Sequence, residues 1–213
     1  MVALGMFVLV LSLVFLAFRT TVRLFGEGSM RQSAEQQLNA IRVLLERDTE
    51  LTSFWLAGVV PRTLGLGESR DGLSMVSLSN WDDAAHFQPG TMRPAWDRQI
   101  VWYATQTDPG TLIRQLDAPP PTAPATFLNK PYSLLKPGFS DSEISASKDA
   151  LSTRYLSGEV KSFKVTSNLK NATLVVNLHL LKIGNARART GERAENHMHV
   201  NWTFCPKNTW PPL

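Results

Sequence analysis

His197 and His199 have the clearest capacity for chemistry in this sequence. They stand two apart in HMHVNWTF, a stretch that reads as a strand, so both imidazoles fall on one face and could hold a transition metal if a third ligand joined them. Nothing at metal-ligand spacing accompanies them in the sequence, and a solvated strand face is the simpler reading. His86 follows Asp82 and Asp83 in WDDAAHFQPG, a grouping that could serve acid–base catalysis. That segment reads as a loop, where Asp and His are common for turn formation and solvation. Gly65-Leu66-Gly67-Glu68 lacks the preceding strand, the lysine and the following helix of a phosphate loop, and no GxSxG, HExxH or CxxC occurs. Cys205 is the single cysteine. It can form no intrachain disulfide and reads as a small buried apolar residue rather than a reactive thiol. Asn171-Ala172-Thr173 and Asn201-Trp202-Thr203 match glycosylation acceptors, tripeptides that arise often by chance. The expectation is a chain that is not an enzyme, with no catalytic residue, no metal and no cofactor.

What positions these residues begins with Met1 to Phe18, MVALGMFVLVLSLVFLAF, which carries no charge and only Gly5 and Ser12 among its apolar side chains. Eighteen helical residues span roughly 27 Å, close to the hydrocarbon thickness of a bilayer. A cleaved secretory signal fits poorly, because the basic n-region and the small-x-small cleavage site are absent. Core helices of soluble domains rarely stay apolar on every side for five turns, and a re-entrant segment is shorter. The run predicts a single membrane-spanning helix.

The helical pattern continues past the apolar run. Val22, Phe25, Met30, Ala34, Leu38, Ile41 and Leu45 recur at intervals of three to five residues and mark one apolar face. On the opposite face Arg19, Arg23, Glu27, Arg31 and Glu35 step by four, so Arg23 with Glu27, Glu27 with Arg31 and Arg31 with Glu35 can pair. Gly26 and Gly28 oppose the pattern, each costing about 1 kcal/mol relative to Ala in a helix interior. The prediction is one helix from Val2 to about Leu51, with a weak point at Gly26 to Ser29.

Val2-Ala3-Leu4-Gly5-Met6-Phe7 resembles the V-A-L-x-I-F block that follows the cleavage motif G-F-T-L-x-E in type IV pilin-like proteins, most closely the J-type minor pseudopilins of type II secretion and related minor pilins. Gln36-Gln37-Leu38 and Leu44-Leu45-Glu46-Arg47-Asp48 are similar to the second half of the J-type helix, and Leu112-Ile113-Arg114 to a strand ending in L-x-R. The likeness is good over the helix and diffuse beyond it. The leader, the cleavage glycine and the early acidic residue have no counterpart in the sequence. Arg19 and Arg23 follow the apolar run while no Lys or Arg precedes it, the reverse of the positive-inside pattern for an extracytoplasmic domain. Both departures are accounted for if Met1 is an internal residue of the helix, and the reading frame is then expected to continue upstream into Glu, T-L-F-like residues, Gly and a short basic leader.

The resemblance implies an α+β pilin-like fold: a transmembrane half-helix over 1–18, an amphipathic half over 19–51, and a β-rich domain over 52–213 packed on the helix. It also implies a single-pass protein of the bacterial inner membrane, with its domain periplasmic or in an extracytoplasmic filament, and other pilin-like subunits as partners. Gly5 and Ser12, two turns apart on one face, are small positions where neighbouring helices could approach closely.

The rest of the chain reads as mostly β. Gly58, Pro61, Gly65, Gly67 and Gly72 mark a break, after which Ser74 to Leu78 is a short strand. Gln99 to Thr105 and Thr111 to Leu116 flank Thr107-Asp108-Pro109-Gly110, where proline pre-sets a turn position and glycine accepts positive φ, so a hairpin is expected. Asp117 to Thr126, DAPPPTAPAT, reads as an extended surface connection, followed by at most a short helix around Asp141 to Ala150. Gly158 to Thr166 and Ala172 to Ile183 are expected as neighbouring strands, Gly184 to Asn196 as a polar loop carrying Arg187, Arg189 and Arg193, and His197 to Phe204 as the closing strand.

A formal charge of +4, from 22 basic and 18 acidic residues interspersed, is too slight to indicate a nucleic-acid partner. The reading is a pilin-like structural subunit that acts by helix packing and assembly, with membrane lipid around its anchor. The alternative is a membrane-anchored periplasmic β-domain that binds a ligand or partner without polymerising.

Overall fold

The computed structural model describes residues 2–65, 67–90, 93–118, 135–186 and 193–208. Helix α1 runs from Val2 to Leu51, as the periodicity predicts, and passes through Gly26 and Gly28 without a break. Arg23 pairs with Glu27 at 2.8 Å and Arg31 with Glu35 at 3.0 Å on its charged face. Of the apolar face, Leu38, Ile41 and Leu45 are buried, whereas Val22 and Phe25 are exposed.

The chain forms two compact units, Met1–Gln36 with Lys182–Asn196 and Gln37–Leu181 with His197–Leu213. The first holds most of α1 and the strand segments 182–186 and 193–196. The second holds the end of α1 and most of a seven-stranded antiparallel sheet whose spatial order follows the sequence. Its strands are β1 (Gly58–Val60), β2 (Gly72–Ser77), β3 (Arg98–Ala104), β4 (Gly110–Asp117), β5 (Ala150–Asn168), β6 (Thr173–Ala186) and β7 (Arg193–Phe204).

Alternation assigns the faces. Ile100, Trp102 and Ala104 of β3, with Leu73, Met75, Leu112, Val160 and Leu178 from neighbouring strands, share one core with Leu38, Ile41 and Leu45 of α1. The intervening Val101, Tyr103 and Ile113 face the other way and are covered by Leu135, Phe139 and Ile144. Ile144 belongs to the short helix α2 (Asp141–Ser145), which starts at a capping box between Ser140 and Glu143. The expected packing of the helix C-terminal half on a sheet containing the β3–β4 hairpin is therefore present.

Polar contacts lock this arrangement. Asp48 accepts two hydrogen bonds from the Arg114 guanidinium, at 2.6 and 2.9 Å, and a third from Trp102 Nε1 at 2.9 Å. Two of the stretches that carry the pilin-like resemblance, around Asp48 and Leu112–Arg114, thus meet in one buried ion pair. The carbonyls that end α1 are not left orphaned: Asn208 Nδ2 donates to Leu51 O at 3.1 Å. In the glycine-marked break, Arg62 and Arg70 are buried and donate to backbone carbonyls of β3, of the turns and of β5.

β5 joins two parts of the sheet. Its first half pairs with β4, its second half with β6, and Val160 stands opposite both Gly110 and Leu180.

Three expectations need correction. Gly110 does not adopt positive φ; a Cβ there would lie 2.8 Å from Thr105 O and 3.0 Å from Arg70 Nε, so close approach is what requires glycine, and the Asp108–Pro109 bond before it is cis. The polar loop is shorter than 184–196, because β6 continues to Ala186 and β7 starts at Arg193; Arg187 and Arg189 lie outside the described residues. Cys205 is exposed, since the alternation that turns Phe204 inward turns the next residue out. The proline-rich connection from residue 119 onward falls outside the described residues.

Candidate functional site

Among the described residues, the exposed apolar length of α1 and a histidine cluster on the sheet stand out once the core contacts are assigned. Along α1 the apolar side chains from Met6 to Phe18 lie mostly more than half exposed, and the helix from Gly5 is long and apolar enough to cross a membrane. Gly5 has no atom within 4 Å of the position a Cβ would occupy, so its face is open to close approach. Ser12 on the same face returns its hydroxyl to Val8 O at 2.8 Å, and Thr20 and Thr21 do likewise to Leu16 and Ala17. Each hydroxyl is satisfied inside the helix, which removes most of its cost in lipid.

The histidines arise from register. On β6 the even positions Leu174, Val176, Leu178 and Leu180 point into the core, and on β7 Met198, Val200 and Trp202 pack against it. The odd positions therefore share the opposite face, which brings His179 beside His197 and His199. Their ligand nitrogens all lie within 4.8 Å of one another. His179 Nε2 and His197 Nδ1 share a hydrogen bond at 3.0 Å, and the His179 and His199 rings stack with centroids 3.7 Å apart. A groove of about 350 Å³ adjoins them, lined by Ser162, Asn177 and Asn201 as well as His179 and His199. Burial, then the neighbouring His199 and His197 and the charges of Lys161 and Arg70, pull the His179 imidazolium down to about 4. His179 is thus a neutral ring at physiological pH. Spacing along the sequence shows no third ligand for His197 and His199; the third imidazole comes from the adjacent strand.

No family model, curated protein or solved structure matches this chain.

His86 lies on a single 3₁₀ turn capped by Asp83, with its Nε2 4.0 Å from Asp83 Oδ2 and 3.4 Å from Ser79 Oγ. Its Nδ1 is 3.8 Å from Asp97 Oδ2, so serine, histidine and aspartate types stand together. The proton traffic does not follow that order. Ser79 Oγ donates directly to Asp97 Oδ2 and its backbone N–H to Asp97 Oδ1 at 2.7 Å, so the carboxylate holds the serine and braces the loop. Asp82 donates its own N–H to Asn80 Oδ1 in a turn and does not join His86.

Proposed function

We propose that this chain is a pilin-like structural subunit, a minor pilin or J-type minor pseudopilin of a type IV pilus or type II secretion filament, anchored in the bacterial inner membrane with its β-rich domain on the extracytoplasmic side. One observation carries the reading: a helix of 50 residues is apolar and exposed at its start and buried against an antiparallel sheet at its end. A helix built only for its own domain has no use for an uncovered apolar stretch, and an uncovered stretch of this length needs lipid or other helices around it. The Asp48–Arg114 pair supports the same reading, since it joins two of the stretches on which the pilin-like resemblance rests.

In this mechanism lipid holds the helix laterally until it is withdrawn into a bundle with the helices of other pilin-like subunits, and the domain forms the outer surface. Lipid accepts Leu, Val and Phe alike, but a bundle needs small residues where backbones approach. The test is the Gly5→Leu/Ser12→Leu double variant, expressed with its candidate partner subunits. Membrane insertion is expected to persist while site-specific crosslinking to the other subunits is lost. A plain anchor is indifferent to the change, so unaltered crosslinking and assembly would favour the tethered binding domain instead.

A further inference from the structure

We propose that His179, His197 and His199 form a binding site for a divalent transition-metal ion of the zinc, copper and nickel class. The inference rests on the sheet face alone and does not depend on the filament reading. Three imidazoles from two adjacent strands converge within 4.8 Å, and imidazole nitrogen is the donor that ions of this class prefer. A tetrahedral ion with bonds of about 2.0–2.1 Å holds its ligand nitrogens roughly 3.4 Å apart. His179 Nε2 and His197 Nδ1, at 3.0 Å, already stand near that separation. His199, its ring stacked on that of His179, offers a nitrogen within 4.8 Å of both.

Other features of the face suit an ion of this kind. The register that fixes the three residues is set by the buried residues alternating with them, so the site is held by the sheet and not by a loop. The adjoining groove offers neutral oxygen and amide groups from Ser162, Asn177 and Asn201, leaving the fourth position for water or an incoming anionic group. Such an ion would tie β6 to β7 on the face of these strands opposite the α1 core.

The experiment uses the full chain without a polyhistidine tag, solubilised in detergent and stripped with EDTA, then titrated with Zn²⁺ by calorimetry and with Co²⁺ by visible absorption. One ion per chain and the visible bands of a four-coordinate Co²⁺ centre are expected. His179→Asn, His197→Asn and His199→Asn should each weaken binding by at least about tenfold, since loss of even an outer-shell partner costs that much. Circular dichroism of the metal-free variants reports whether the fold is kept. If His179→Asn disturbs it, His199→Asn, whose side chain is exposed, carries the test. Absence of saturable binding, or folded variants that bind as the parent does, overturns the site.

Discussion

Asp48 is the polar residue on which the helix–sheet contact turns. Its carboxylate is almost wholly buried, and its partners Arg114 and Trp102 come from two adjacent strands. Arg114→Ala leaves that charge buried with only the indole donor, and a loss of about 3 kcal/mol is expected in urea unfolding of the detergent-solubilised chain. Trp102→Phe removes one donor and leaves a smaller aromatic ring in a fully buried site, for a loss of about 1–2 kcal/mol. Equal losses for the two would show that the charge pair is not the principal contribution. Asp71 behaves differently. Burial is the largest influence on it and raises its pKa above the usual carboxylate value, against the lowering effect of the N–H groups of Val165 and Arg62. A carboxyl whose folded pKa is raised binds its proton more readily folded than unfolded, so its contribution to stability is greatest below the unfolded pKa and is lost as pH rises through the folded one. Asp71→Asn replaces one acceptor by an amide that must face an N–H donor, and should cost about 1–3 kcal/mol near pH 7. That deficit relative to the parent should widen between about pH 7 and about pH 4, which paired urea titrations would measure.

The β3–β4 hairpin shows how tightly a turn can be specified. Gly110→Ala brings a methyl against Thr105 O and the buried Arg70, and about 1–3 kcal/mol of overpacking is expected. Gly65→Ala meets open space without positive φ and should be nearly neutral by the same unfolding assay. This hairpin was legible because two apolar runs flank a proline–glycine turn, and α1 because an unbroken apolar run leads into a stripe with charges four apart. The outer ends of β6 and β7 were not legible. There Gly184, Asn185, Arg193 and Glu195 lack the apolar alternation that betrays a half-buried strand. His179 was hidden for a related reason. It lies inside the run LVVNLHLLKI, which reads as one β-branched strand, and only the alternation of Asn177 and His179 with buried leucines marks an outward face. Its closeness to His197 and His199 depends on cross-strand register, which no spacing along the chain encodes. Ser79 and Asp97 reach His86 across shorter gaps in sequence, but likewise only through the fold.

The chain as a whole joins a surface suited to lipid with a domain that closes its own core. Leu9 and Leu13 lie four apart on one face of the exposed helix. Leu9→Arg together with Leu13→Arg should cost about 2.5–3.5 kcal/mol per residue at the membrane centre and move the protein from the carbonate-resistant pellet to the soluble fraction. Retention in the pellet would show that these leucines do not sit in the bilayer. The sheet order also bears on how the domain is made. Because every strand hydrogen-bonds to the one before it, a chain emerging from the ribosome or a translocon can add each strand to a finished neighbour, without waiting for a distant partner. Some contacts must still wait: Asp71 for the N–H of Val165, 94 residues on, and the carbonyls of Leu51 and Glu50 for Asn208, across a separation of 157 and 158 residues. Synthesis therefore delivers the strands in the order in which they pair, and Asn208 can reach the helix end only after β7 has arrived.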